Sequence, residues 1–162
     1  LAVKGNPVTR LLYIFDLDGT LADTTHRQPL IDRANIDDER AWGAYYKECK
    51  LDSPIIPTIQ TARMLSLSAD IWIWSGRSDV VRDDTWWWLN QHAPFLAGPD
   101  QVLLMRKAGD KTPDTELKKD WYMNMLPSDQ DRLVGVFEDR NRMAEMWRSM
   151  GVTCFHVADG NF

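Results

Sequence analysis

Four runs of this sequence are apolar at successive positions and stop abruptly at polar ones. Leu11–Phe15 stops at Asp16, Ile71–Trp74 at Ser75, Val102–Met105 at Arg106 and Leu133–Phe137 at Glu138. A looser fifth run, Val152–Val157, closes the set. A strand with one face in water alternates apolar and polar residues. Strands that do not alternate are buried on both faces, as in a parallel sheet covered by helices. The intervening segments read as those helices: Pro57 to Leu67, Val80 to Gln91 ahead of Pro94, Asp114 to Leu126, and Asn141 to Met150. The last is the clearest. Met143, Met146, Trp147 and Met150 recur at i, i+3, i+4 and i+7, and Gly151 follows as the C-terminal stop. Alternating strands and helices predict an α/β fold: a three-layer, Rossmann-like open parallel sheet with right-handed crossovers.

A chain of 162 residues is the size of one domain and buries roughly 70% of its unfolded surface, enough for a core without disulfides. Residues 1–162 are therefore read as a single domain. Residues 21–54 break the alternation and are densely charged from Asp32 to Arg40. They read as a small helical insertion or cap after the first strand, with Pro54 and Pro57 marking the return to the sheet.

A net charge of −5 argues against a broad non-specific grip on nucleic acid, which depends on Lys and Arg neutralising phosphates. A small basic groove on an acidic body remains compatible with it. Cys49 and Cys154 form no C-x-x-C or zinc spacing, and two isolated thiols fit a reducing compartment. No apolar run approaches the length of a membrane span.

In open α/β sheets, ligands bind beyond the carboxyl ends of the strands. Those ends read Asp16-Leu17-Asp18-Gly19-Thr20, Ser75-Gly76-Arg77 and Glu138-Asp139-Arg140, so carboxylates, a hydroxyl and guanidiniums collect on one rim. Clustered carboxylates repel one another unless a hard cation binds between them, and Mg²⁺ prefers oxygen ligands. Such an ion neutralises an incoming phosphate that otherwise repels an anionic nucleophile. Asp16 is then the candidate nucleophile, and Asp18 the candidate acid/base for the leaving oxygen and the attacking water.

Phe15-Asp16-Leu17-Asp18-Gly19-Thr20-Leu21 resembles the first motif of the haloacid-dehalogenase superfamily. Ser75 resembles its second motif, a phosphate-binding hydroxyl, and Glu138-Asp139 its acidic fourth. A lysine is the third. Lys107, Lys111, Lys118 and Lys119 compete for it, and helical phase next to Leu117 and Trp121 favours Lys118. A closer resemblance covers nearly the whole chain: the 3′-phosphatase domains of phage polynucleotide kinase-phosphatases. It rests on the opening motif, Ser75-Gly76-Arg77, Glu138-Asp139-Arg140, and the ending from Glu145-Met146-Trp147-Arg148 to Gly160-Asn161-Phe162.

By that resemblance Asp16 is nucleophile and Asp18 general acid/base. Mg²⁺ is held by Asp16, Asp139 and the backbone carbonyl of Asp18, with Glu138 supporting it. Ser75, Gly76, Arg77, Lys118 and Arg27 then contact phosphate or substrate. Glu138 departs from the phage pattern, which has aspartate there. The implied function is a Mg²⁺-dependent phosphomonoesterase removing 3′-phosphates from polynucleotide ends through an aspartyl-phosphate. Alternatives are a 5′(3′)-nucleotidase or small-metabolite phosphatase, or a non-catalytic module binding nucleic-acid ends.

The implied partner is a phosphorylated nucleic-acid end or nucleotide, and the implied location is the cytoplasm of a bacterium or a phage-infected host. No G-x-x-x-x-G-K-[ST] occurs, so no P-loop kinase is present in this chain. A start at Leu1 is consistent with a longer parent chain carrying a kinase domain. Of Trp86-Trp87-Trp88, successive residues point about 100° apart on a helix, which predicts one packed on the sheet and one exposed. Trp72, Trp74 and Trp147 are expected in the core. His26 reads as a surface residue, and His92 and His156 show no obvious partner.

Overall fold

The computed structural model describes residues 10–36 and 38–160. Asn161 and Phe162, the end of the terminal resemblance, lie outside the described residues. The apolar runs form β1 (Leu11–Phe15), β4 (Ala69–Ser78), β5 (Leu103–Arg106), β6 (Leu133–Arg140) and β7 (Cys154–Gly160). They make one sheet in the order β5-β4-β1-β6-β7, with every neighbouring pair parallel. β1 is central. The chain steps to one side of it for β4 and β5, then to the other for β6 and β7. The crevice where such halves diverge is where open α/β sheets bind ligands, and here it lies at the carboxyl ends of β1 and β6.

Both faces of the sheet are covered, as the unbroken apolar runs require. Phe15, Ile71, Ile73 and Phe137 point to one face, against Ile59 and Ala62 of α2 (Ile56–Ser66) and Trp88 and Leu89 of α3 (Arg82–His92). Ile14, Trp74 and Val136 point to the other. They meet Ala144 and Trp147 of α6 (Asn141–Ser149) and the half-buried Trp121 of α4 (Asp114–Met123). Trp74 sits 6.1 Å from Trp147 and 5.8 Å, edge-on, from Trp121. A fully buried indole removes enough apolar surface to be worth on the order of 4–6 kcal/mol before entropy is counted. The expected core roles of Trp74 and Trp147 therefore hold, with Trp72 half-buried beside them.

Several boundaries differ from the sequence reading, two of them with a physical reason or a bearing on the site. The helix beginning at Asp114 ends at Met123, not Leu126, and α5 (Pro127–Arg132) follows. Leu126 precedes a proline, which disfavours helical backbone, and it adopts φ −60°, ψ 141°. The second strand runs on through Ser75-Gly76-Arg77 to Ser78, with a register shift between Ser75 and Ser78. A similar shift falls between Glu138 and Arg140 of β6. Such irregularities re-aim side chains at strand ends, and both coincide with the residues of the site.

Between β2 (Ala22–Asp23) and β3 (Ser53–Pro54), which pair antiparallel, lies the insertion. It consists of 3-10 turns at Thr25–Leu30, Arg33–Asn35, Glu39–Trp42 and Cys49–Leu51 and one short helix, α1 (Gly43–Lys47). It stands over the carboxyl end of β1. No helix among the described residues is long and apolar enough to cross a membrane.

Candidate active site

Asp16 follows β1 directly, and its amide donates to the Phe137 carbonyl at 3.0 Å, tying β1 to β6. The chain then turns sharply, with the amides of Leu21 and Ala22 both donating to the Leu17 carbonyl at 2.9 Å. Gly19 has φ +85°, and a Cβ there would stand 2.0 Å from Asp139 Oδ2. Only glycine satisfies both the turn and the close approach.

Asp16, Glu138 and Asp139 are all buried, and each offers an oxygen within 4.8 Å of the others'. Lys118, also buried, donates to Asp16 Oδ1 at 2.7 Å and to Glu138 Oε2 at 2.8 Å. One ammonium thus faces three carboxylates. Burial and the neighbouring Glu138 push Asp16 upward against the pull of Lys118 and Arg140. Burial likewise raises Glu138. Burial and the charge on Asp16 raise Asp139 from 3.8 to about 6.

Among the described residues, Glu138 Oε1 and Asp139 Oδ2 are buried without a hydrogen-bond partner. Buried carboxylate oxygens without partners are costly. An all-oxygen cluster with orphaned acceptors and surplus negative charge fits a hard divalent cation such as Mg²⁺. The side chain of Asp18 is not part of this cluster.

The pH dependence of such a cluster has a definite sign. Below about pH 3.8, folded and unfolded chains both hold these protons and the groups contribute nothing. As pH rises, the unfolded chain ionises first while the folded cluster keeps its protons, so metal-free stability falls from about pH 4 to beyond pH 6. Asp18, held near 2, acts in the opposite sense only below that window. A cation bound by the carboxylates removes the penalty. Mg²⁺ at about 100 times its Kd is expected to raise Tm by about 5–10 °C at pH 7.5, and by much less at pH 5. Differential scanning fluorimetry at the two pH values checks this, and an equal shift at both would exclude the cluster as the site.

A second cluster faces the first. Asp18 accepts from Arg27 Nη2 at 2.8 Å and from both Nε and Nη2 of Arg77. Asp52 accepts from Arg27 Nε at 2.6 Å and Nη2 at 2.8 Å, and from Arg77 Nη2 at 2.9 Å. Arg27, Arg77 and Asp52 are fully buried side chains. Two guanidiniums and two carboxylates balance in charge. Burial by itself pushes Asp18 up, but Arg77 and Arg27 reverse this and hold it at about 2. A third set lies alongside, where Asp114 joins Arg106 to Arg140. Burial raises Asp114, and Arg140, Lys118 and Arg106 more than offset it. A Cβ on Gly76 would come within 2.6 Å of Asp114 Oδ1, so glycine lets β4 pass this carboxylate.

The structure brings Asp16, Asp18, Arg27, Arg77, Lys118, Glu138 and Asp139 together at one end of the sheet. Ser75 lies beneath them, fully buried, its Oγ accepting from the Arg77 amide at 3.2 Å. Sequence reasoning missed Asp52 and Asp114. Asp114 shares a helix face with Lys118, four residues on, which is a readable signal; Asp52 carries none. Trp88 is buried and donates to the Asp52 carbonyl at 2.8 Å, while Trp87 is 45% exposed, matching the expected split. His156 does have a partner: its Nε2 lies 3.0 Å from the Asp139 carbonyl, a long-range contact invisible in local sequence. His92 packs on Trp88 at 4.9 Å, and His26 contacts Asp52 at 3.0 Å.

The family model of the polynucleotide kinase PNKP phosphatase domain matches residues 11–162. The chain belongs to this family. The PNKP-type domain is a phosphatase of the haloacid-dehalogenase kind, as the motifs implied. A chain in the Pnkp1/Rnl/Hen1 RNA repair complex matches with TM-score 0.74 and 25% identity, over 100% of this chain and 47% of that one. A second Pnkp1/Rnl/Hen1 structure gives 0.73 and 25%, over 97% and 49%. This chain therefore spans about half the length of those two. The class C acid phosphatase from Bacillus anthracis matches with TM-score 0.60 at 13% identity, over 99% of this chain and 71% of that one. At that identity the likeness concerns the fold alone.

Proposed function

We propose that this PNKP-type domain is a Mg²⁺-dependent phosphomonoesterase that removes 3′-phosphates from polynucleotide ends through an aspartyl-phosphate at Asp16. The observation that carries the reading is the division of labour between two carboxylates two residues apart. Asp16 stands in an oxygen cluster with one oxygen on Lys118. Asp18 stands outside that cluster, bound by Arg77 and by the fully buried Arg27. Likeness to a chain that works in an RNA repair complex favours a nucleic-acid end as substrate here.

In the first step a carboxylate oxygen of Asp16 attacks phosphorus and the bond to the 3′ oxygen breaks, the leaving oxygen taking a proton from Asp18. In the second, water attacks the aspartyl-phosphate, gives its proton to Asp18, and phosphate departs with Asp16 restored. Asp16, Glu138, Asp139 and the Asp18 carbonyl are the groups that would hold Mg²⁺, which when bound neutralises phosphoryl charge. Lys118 favours the ionised form of Asp16 against its burial and holds Glu138 in place. Asp18 needs a proton, and the guanidiniums that hold it ionised are the groups an incoming phosphate recruits. Arg27 and Arg77 thus bind phosphate and release Asp18 in one exchange of partners. Ser75 orients the turn that carries Arg77.

The test is phosphate release from oligonucleotides phosphorylated at the 3′ or the 5′ end and from nucleoside monophosphates, with Mg²⁺ or EDTA. The expected result is a kcat/KM at least about tenfold higher for the 3′-phosphorylated oligonucleotide, abolished by EDTA. Faster hydrolysis of the mononucleotides would assign the domain as a nucleotidase instead.

A further inference from the structure

Above Asp16 and Asp18 opens a cavity of about 530 Å³, within the range of small-molecule sites. A site for a bare phosphate ester needs only the charged floor already described, yet this cavity has two further walls of different chemistry. The insertion supplies one wall with Trp42 and Tyr46, both half-buried. Their rings lie nearly parallel, 25° apart, with centroids 6.2 Å from each other. Tyr45 packs edge-on to both at 5.7 Å, and its own face is covered by the Arg27 guanidinium at 3.9 Å. The Trp42 ring is pinned by Nε1 donating to the Ile36 carbonyl at 3.0 Å. Its polar edge is thus satisfied within the protein, and its orientation is set before any ligand arrives.

The loop after β5 supplies the other wall, with Lys107 and Lys111 exposed, while Arg33 and Arg142 stand exposed at the margins. Among the described residues, seven lysines and arginines line the cavity against four aspartates, in a chain of net charge −5. Positive charge is concentrated here on an otherwise acidic molecule. An oriented aromatic wall facing a cationic one matches a single-stranded nucleotide, which offers a flat base on one side and phosphates on the other.

Resting on the phosphomonoesterase reading and deepening it, we propose that Trp42 and Tyr46 are the stacking wall for the base of the 3′-terminal nucleotide. The substrate is then an unpaired polynucleotide end that carries a base next to its 3′-phosphate. A base still paired in a duplex has its faces covered by its neighbours and has to fray before it can use this wall.

The experiment compares two single-stranded oligonucleotides bearing a 3′-phosphate, one on an ordinary terminal nucleoside and one on an abasic terminal residue. Base–aromatic stacking corresponds to a preference of about 5- to 150-fold. The expected result is a kcat/KM ratio in that range, carried mainly by KM, falling toward one in Trp42→Leu and largely kept in Trp42→Phe. Tyr46→Leu lowers the ratio by itself, which guards against a Trp42 variant that fails to fold. A wild-type ratio near one, or a ratio unmoved by Trp42→Leu and Tyr46→Leu, overturns the proposal.

Binding of the same two oligonucleotides to Asp16→Asn with Mg²⁺, read by fluorescence anisotropy, separates this proposal from the phosphatase reading. If neither end is hydrolysed, the catalytic reading fails. Tighter binding of the base-bearing end still upholds the stacking wall, and equal affinity overturns it.

Discussion

Replacing Asp16 by asparagine is expected to lower phosphate release by about 10⁴- to 10⁶-fold, the loss typical when a covalent nucleophile is removed. An amide keeps the size of the carboxyl group and can still accept from the Lys118 ammonium, now 2.7 Å from Asp16 Oδ1. It cannot form the acyl-phosphate bond. Folding should not suffer. In the metal-free protein the ionised Asp16 is disfavoured by burial and by Glu138, so removing its charge leaves Tm near pH 7.5 unchanged or higher. The gain in Tm on adding Mg²⁺ should shrink, because one of three clustered carboxylates is gone. Loss of turnover with preserved stability separates a chemical role from a structural one. Retention of more than about one part in a hundred of wild-type kcat would be far outside that expectation and would move the nucleophile elsewhere. Intact-mass measurement of rapidly quenched wild-type protein provides the positive counterpart, a population heavier by one phosphoryl group that is absent from Asp16→Asn.

The legible parts of this molecule are those encoded over short distances in sequence. Unbroken apolar runs specify strands buried on both faces, and the residues that end them stand at one rim. Asp16, Ser75-Gly76-Arg77 and Glu138-Asp139 are therefore readable as neighbours from the sequence. Helical phase separates Lys118 from Lys107, Lys111 and Lys119, and Lys118 is the buried one that reaches Asp16 and Glu138. The early end of α4 is available in principle from Pro127, but the apolar spacing of Leu117, Trp121 and Met125 masks it. The insertion resists because its 3-10 turns have no long hydrophobic period, so nothing local shows which of its many charges folds inward. Only family likeness singles out Arg27. Asp52, 25 residues further on, meets it only in the folded chain. The contact of His156 with the Asp139 carbonyl is equally a product of strand register.

Asp52 is the residue whose loss should cost the fold most among those outside the oxygen cluster. It stands at the end of the insertion, beside β3, with its side chain fully buried. Its two oxygens take a bidentate pair from Arg27 and a third bond from Arg77. With Asp18 they form a balanced set of two guanidiniums and two carboxylates. Asp52→Ala leaves two buried cations sharing one anion. Breaking a buried ion pair from one side typically costs about 3–5 kcal/mol, since the orphaned charge stays desolvated. Urea denaturation should show a loss of unfolding free energy of that size. Asp52→Asn keeps one acceptor and the shape, and should lose less.

Activity distinguishes positioning from simple destabilisation. Without a carboxylate at position 52, Asp18 is the one charged partner left to Arg27 and Arg77 among the described residues, which fixes the carboxylate that must carry a proton to the leaving oxygen. At a temperature where Asp52→Asn is fully folded, kcat should still drop by about 10²-fold, the cost of an ångström-scale misplacement, with KM moving far less. A variant that is destabilised yet turns over normally once folded would show that the pairing of these arginines serves the fold alone. The proposed handover of Arg27 and Arg77 from Asp18 to phosphate would then need another partner to restrain it.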